Sequence, residues 1–206
     1  MDEIKKNIDV IIPCYNVEET IEDCIKSLCN QSLSKNEYNC YFINDCSKDS
    51  TGTILDKYKN IENISIIHHK ENQGLATSRN NGIKAGNSKM IAFLDGDMVV
   101  KKNWLESFLT YFNENVVAVM GDNTAPQNIY LNPVEKYYFG NLRGARKYKD
   151  GENIPFQYML FGNAMLKRTI LQECGYFDES MKKYGGEDTD LSCLLYTSPS
   201  PRDSRK

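Results

Sequence analysis

Short apolar runs alternate with amphipathic stretches along most of the chain. Ile8-Asp9-Val10-Ile11-Ile12 reads as a buried strand, and Val17 to Leu28 follows with Ile21, Ile25 and Leu28 at helical spacing. A strand at Cys40-Tyr41-Phe42-Ile43, a helix through Ile54, Leu55 and Tyr58, and a strand at Ile64-Ser65-Ile66-Ile67 come next. A helix from Gly74 to Ala85 then precedes Met90-Ile91-Ala92-Phe93-Leu94. Trp104, Leu105, Phe108, Leu109 and Phe112 mark another amphipathic helix, ahead of a strand from Val116 to Met120. This order predicts an α/β fold, Rossmann-like, whose mostly parallel sheet carries helices on both faces. Beyond Asp122 the pattern loosens. Phe156 to Leu166 reads as a buried strand and Thr169 to Cys174 as a short helix, and a last helix opens near Asp188 after Gly185-Gly186.

Parallel sheets of this kind bind ligands beyond the carboxyl ends of their strands. The first strand ends in Pro13-Cys14-Tyr15-Asn16 and the second in Asn44-Asp45-Cys46-Ser47-Lys48-Asp49-Ser50-Thr51. Asn72-Gln73-Gly74 follows the third and Asp95-Gly96-Asp97 the fourth. Each has a plain structural reading. Asp45 to Thr51 suits a turn and a helix cap, and Asp95-Gly96 suits a tight turn. Recurrence at four successive strand ends points instead to one polar site.

Composition removes several alternatives. The 206 residues are 40% hydrophobic and 26% charged with a net charge of −3, enough for one globular core. There is no basic excess, so no nucleic-acid partner is expected. No apolar run reaches about 18 residues, and the first residues lack a signal-peptide pattern. The expected location is therefore cytoplasmic, with any membrane contact confined to the surface. The seven cysteines are odd in number without a C-x-x-C pair, which suits reduced structural thiols. The adjacent His68 and His69 point to opposite faces of a strand and cannot chelate one ion together. Neither G-x-G-x-x-G nor G-x-x-x-x-G-K-[ST] is present, so a bound diphosphate needs another partner. Asp95-Gly96-Asp97 supplies it: Mg²⁺ and Mn²⁺ take oxygen ligands, often one or two carboxylates plus substrate phosphates, and the glycine allows close backbone approach.

The second half adds two groups. Tyr137, Tyr138 and Phe139 run into Arg143, Arg146, Lys147 and Lys149, either an acceptor-side surface with an arginine for phosphate or a solvated basic face. Glu187 and Asp188 stand at a helix N-terminus, where the dipole alone accounts for acids.

Ile11-Ile12-Pro13-Cys14-Tyr15-Asn16, Asn44 to Thr51 and Asn72-Gln73-Gly74-Leu75-Ala76-Thr77-Ser78-Arg79-Asn80 together resemble family 2 glycosyltransferases of the GT-A fold. Asp95-Gly96-Asp97 stands where that family has D-x-D, and Gly186-Glu187-Asp188 where it has its E-D motif. The resemblance runs from about Ile8 to Leu194. It implies a nucleotide-sugar donor site: Pro13, Tyr15 and Asp45 at the base, Tyr15 near its face and Asp45 at its edge. Arg79 would help to hold the nucleotide, with Asn16 and Gly96 in the same site. Asp95 would lie against the ribose and share the metal with Asp97. Asp188 would be the general base, with Glu187 orienting the acceptor. Asn44 replaces an acid common in the family. The absent Q-x-x-R-W motif favours single additions or a non-processive polymerase.

The implied reaction is metal-dependent and inverting, carried out by a hexosyl- or N-acetylhexosaminyltransferase with UDP-sugar as the default donor. The acceptor would be a glycan or a lipid-linked or protein-linked sugar. A sugar nucleotidyltransferase would want a Gly-rich basic loop after the first strand, which Pro13-Cys14-Tyr15-Asn16 is not. A non-catalytic nucleotide-sugar module would keep Tyr15, Asp45 and Asp97 without a complete acceptor site. The composition changes after Leu194-Leu195 to a Ser-, Pro- and Arg-rich stretch. The expected organisation is a catalytic domain over 1–194, incomplete at its C-terminus, and a disordered, non-native tail over 195–206.

Overall fold

The computed structural model describes residues 8–125, 130–140, 144–181 and 185–197. Its centre is a six-stranded sheet: β1 (Ile8–Cys14), β2 (Tyr38–Asn44), β3 (Ile64–His68), β4 (Met90–Leu94), β5 (Ala118–Met120) and β6 (Asn163–Lys167), ordered β3-β2-β1-β4-β6-β5. β1 pairs in parallel with β2 and β4, and β2 with β3, whereas β6 runs antiparallel to both β4 and β5. The mostly parallel α/β expectation holds, with β6 the exception. Seven α-helices accompany the sheet among the described residues: α1 (Ile21–Cys29), α2 (Thr51–Asp56), α3 (Leu75–Ala85), α4 (Trp104–Tyr111), α5 (Pro133–Tyr138), α6 (Arg168–Cys174) and α7 (Glu187–Thr197).

Strand alternation divides the core in two. Val10, Ile12 and Cys14 of β1 face one layer, with Ile21, Ile25 and Leu28 of α1 and Trp104, Leu105 and Phe108 of α4. Ile11 faces the other, with Ile43, Phe93, Ile83 of α3, Leu171 of α6 and Leu191 of α7. Both faces are covered, so these strands are apolar along nearly their whole length. Gly82 of α3 lies over Ile11 and Ile43, and a Cβ there would stand 2.4 Å from the Ile11 side chain. The small residue sets how closely α3 approaches the sheet. Pro13 falls beyond the last β1–β4 pair, Ile11↔Phe93, so its missing N–H costs no bond to β4.

Asp9 is the one acid inside the sheet's own core and is fully buried. It accepts from Arg168 Nη2 at 2.7 Å, Ser88 N at 2.8 Å and Ser88 Oγ at 2.7 Å, which closes the amino-terminal edge of the sheet. None of the seven cysteines forms a disulfide. Burial pushes the Cys24 thiol up to about 12, with the charges of Asp97 and Asp95 adding to the effect, so it acts as a small apolar residue.

Three stretches differ from the sequence pattern. The first helix starts at Ile21 rather than Val17, because the Val17 carbonyl takes the Thr20 and Ile21 N–H groups in a turn. Phe156 to Leu166 is not one strand: Phe156–Tyr158 winds into a 3₁₀ turn after Pro155, and β6 begins only at Asn163. The last helix starts at Glu187 and runs to Thr197. Leu195 packs on the second core layer and the Tyr196 ring lies 5.3 Å from that of Phe156. The ordered fold therefore extends at least three residues past Leu194, and 198–206 lie outside the described residues. No helix among the described residues is long and apolar enough to cross a membrane.

Candidate active site

The ends of β1 and β2 are stitched together by their loops. Asn16 N donates to Ser47 Oγ at 3.1 Å, and Lys48 N donates to Asn16 Oδ1 at 2.8 Å. Val17 N donates to Thr51 Oγ1, Glu18 N to Asp49 Oδ2, and Ser50 N to Glu18 Oε2. Asn16 (φ 52°) and Cys46 (φ 57°) both take left-handed backbone, unusual for residues with a Cβ. Asn16 was expected at the nucleotide; here its side-chain oxygen serves the loop. Tyr15, next to it, is 44% exposed and presents its ring at the edge of the site. The Ser47–Thr51 run does what its composition suggested: Asp49 Oδ1 accepts from Thr51 N at the start of α2, and its other bonds join the two loops.

Asp45 is buried at the end of β2. Its Oδ1 accepts from the His69 ring Nδ1 at 2.7 Å and Gln73 N at 2.8 Å, and its Oδ2 accepts from Gly74 N at 2.8 Å. Gly74 (φ 91°) allows the sharp turn that aims these two N–H groups at one carboxylate. Asn44, the replacement for an acid, bonds His68 Nδ1 through Nδ2 and accepts from Ser47 N. The two histidines do point to opposite sides, each serving a different residue of β2.

The antiparallel entry of β6 builds the other half. Asp95 leaves β4 as Gly162 approaches β6, and Asp95 N donates to Gly162 O at 2.9 Å. A Cβ on Gly162 would stand 2.3 Å from Asp95 Oδ2, so the acid fits only against a glycine. Met98 N closes a turn onto Asp95 O. Gly96 is buried under the first loop, where a Cβ would stand 3.3 Å from Pro13 O; its smallness serves packing of the chain rather than approach to a ligand.

Arg79 joins these parts. It projects from α3 and is only 2% exposed. Nη1 donates to Asp188 Oδ1 at 2.6 Å and lies 3.5 Å from Glu187 Oε1, while Nη2 reaches Asp95 Oδ1 at 3.4 Å. The Phe177 ring lies 5.1 Å from its guanidinium carbon, and Phe177 packs edge-on with Phe93 and Phe161. Three carboxylates and a ring surround the Arg79 Nη groups, while its buried Nε has no hydrogen-bond partner among the described residues. Glu187 likewise faces inward and is buried, with Oε1 towards Arg79. Asp188 is partly open, and its Oδ2 accepts from Phe161 N at 3.3 Å.

Burial pushes the Asp95 carboxyl above its ordinary value. Arg79 pulls it back, and the charges of Asp97 and Asp188 push it up again. Asp97 is exposed and has no hydrogen-bond or ion-pair partner among the described residues. It borders a cleft of 330 Å³ lined by Asn16, Val17, Glu18, Glu19, Thr20, Asp49 and itself. Excess negative charge and a free carboxylate are the chemistry that a hard divalent cation fits. Among the described residues no three acids, cysteines or histidines converge on one point, so substrate oxygens would have to complete its shell.

On the acceptor side, Arg146 is engaged by Asp122, the Tyr138 and Asn123 carbonyls and the Phe139 ring rather than free for a phosphate. Arg143 lies outside the described residues. Sequence reasoning gave His69, Gly162 and Phe177 no role in the site. The only available signal for His69 was its place just past β3, and it became meaningful once β2 and β3 paired Asn44 with His68.

Residues 9–175 match the family model for glycosyl transferase family 2, and the chain belongs to that family. Glycosyltransferase EpsJ of Bacillus subtilis is 35% identical over 114 residues, which cover 55% of this chain and 33% of that protein. Glycosyltransferase AglE of Haloferax volcanii is 32% identical over 117 residues, covering 56% of this chain and 38% of its own length. The chain thus spans less than half of these curated relatives. Among solved structures, Staphylococcus aureus TarS 1–349 in complex with UDP-GlcNAc superposes with a TM-score of 0.73 at 23% identity, over 92% of this chain and 53% of that one. The mannosyltransferase PcManGT of Pyrobaculum calidifontis, in complex with GDP-Man and Mn²⁺, gives 0.67 at 18% identity over 91% and 51%. The fold is therefore that of the GT-A glycosyltransferases.

Replacing Arg79 by glutamine leaves Asp95, Glu187 and Asp188 facing one another without a counter-charge. Urea unfolding should register a loss of about 3–5 kcal/mol, the cost typical of breaking a buried ion pair from one side. A change under about 1 kcal/mol, as for a surface pair, would mean the cluster does not depend on Arg79.

Proposed function

We propose that this domain transfers a sugar from a nucleotide-diphosphate donor to an acceptor hydroxyl by a metal-dependent, inverting single displacement. The observation that carries the reading is the meeting of Asp95, from the donor side, with Glu187 and Asp188, from the α7 side, on one buried guanidinium beside the unpartnered Asp97. Support for a nucleotide-sugar donor comes from the neighbours in complex with UDP-GlcNAc and GDP-Man. Support for a glycan acceptor comes from such relatives as poly(ribitol-phosphate) beta-glucosyltransferase of Bacillus spizizenii, 34% identical over 110 residues.

Tyr15 offers its exposed face to the base, and Asp45 offers one oxygen to its edge, with Pro13 between them in the wall. Asp95 lies against the ribose, and Asp97 with Asp95 holds Mn²⁺ or Mg²⁺. When bound, the cation neutralises charge building up on the departing diphosphate. Asp188 takes the proton of the attacking hydroxyl. Its Oδ1 is held tightly by Arg79, whereas Oδ2 takes only the longer bond from Phe161 N and keeps a lone pair for the acceptor hydroxyl. Glu187 and Arg79 act on this step indirectly, by fixing the Asp188 rotamer. Attack from the face opposite the leaving group inverts the anomeric centre, and holding donor and acceptor in line supplies much of the acceleration.

Two variants separate binding from chemistry. Asp97→Asn should leave UDP affinity insensitive to added Mn²⁺ in calorimetry, and EDTA should abolish wild-type turnover; full turnover in EDTA would remove the metal from the scheme. Asp188→Asn should bind donor as the wild type does yet transfer sugar about 10²–10⁴-fold more slowly, the range of a lost general base. Near-normal transfer by that variant would disqualify Asp188.

A further inference from the structure

Asp45 and His69 form a buried pair joined by a short hydrogen bond. A carboxylate only accepts, so His69 Nδ1, 2.7 Å from Asp45 Oδ1, carries the ring proton. The other ring nitrogen, Nε2, lies 2.9 Å from the Asn81 side-chain amide, which holds the ring orientation. Both side chains of the pair are 5% exposed, so water competes little for these bonds. His69 occupies one particular lone pair of Asp45.

Each carboxylate oxygen can accept about two hydrogen bonds. Oδ1 is saturated by His69 Nδ1 and Gln73 N, while Oδ2 has received only Gly74 N. One acceptor position remains. Uracil presents a single N–H between two carbonyls along its pairing edge, which one acceptor satisfies. Guanine presents two adjacent N–H donors and needs two acceptors. Cytosine and adenine would turn a ring-nitrogen lone pair towards the carboxylate. We propose that His69 is a positioning residue for donor specificity: by filling Oδ1 of Asp45 it leaves a one-acceptor site that selects a uracil nucleotide over a guanine nucleotide. The inference rests on the reading of Asp45 as the residue at the base edge, and it goes further by naming the base and the residue that enforces the choice.

Affinities for UDP and GDP, each measured by calorimetry with Mn²⁺ on the whole chain, test it. Wild-type protein should prefer UDP. His69→Leu, which keeps the volume and frees Oδ1, should reduce the UDP:GDP preference about tenfold, the equivalent of about 1.4 kcal/mol. His69→Gln, which keeps an N–H for Asp45, should restore part of it. Asn81→Ala, at a half-buried position on α3, should shift the ratio in the same direction as His69→Leu and decides the matter if the leucine variant does not fold. A purely structural His69 would weaken both nucleotides equally, so an unchanged ratio in the folded variants overturns the proposal, as does a wild type that prefers GDP. Wild-type protein that binds neither nucleotide would fail differently, removing the donor-site reading and this inference with it.

Discussion

Everything at the carboxyl edge of the sheet turns on one buried cation. Arg79 is the group that lets Asp95, Glu187 and Asp188 stand close together, and none of the three would tolerate the others without it. The aromatic cluster of Phe93, Phe161 and Phe177 holds the guanidinium from below and keeps water away from its stem. Arg79 gives acids from the start of α7 and the end of β4 a common reference point, so the protein itself sets the separation between them.

The topology makes that meeting possible. A purely parallel sheet would send β6 in the same direction as β4 and carry Gly162 to the far edge. The antiparallel β6 instead begins beside the end of β4, bringing Gly162 and the Phe161 N–H against Asp95 and Asp188. The opposite edge is closed by Asp9, Ser88 and Arg168, a network with no opening. Charge is thus buried at both ends of the sheet, fully satisfied at one and left with the free Asp97 at the other.

Much of this was legible in the chain. Alternation of apolar runs located the first four strands, and the polar strand ends named Tyr15, Asp45, Asp95 and Asp97 because parallel sheets leave their ligands there. The resemblance to family 2 glycosyltransferases added Arg79, Glu187 and Asp188; the matched family covers residues 9–175 and so bears on the family, not on the two acids of α7. What stayed hidden depends on contacts between distant segments. Nothing local distinguishes an arginine that grips a phosphate from one that turns onto an acid at the other end of the chain. Phe156 to Leu166 reads as a strand because its apolar residues are buried, yet Phe161 and Met159 are buried as parts of a connection under α7. His69 needed the β2–β3 register before it could be placed beside Asp45.

The central claim is that donor, metal and base share this one edge. Amide NMR spectra of the protein with UDP, recorded before and after Mn²⁺ replaces Mg²⁺, read the location of the cation directly through paramagnetic broadening. The account predicts the strongest broadening at Gly96, Asp97, Gly162 and Asp188, and the weakest at Ser88 and Arg168. Broadening centred away from Asp97, or none that depends on UDP, would contradict it.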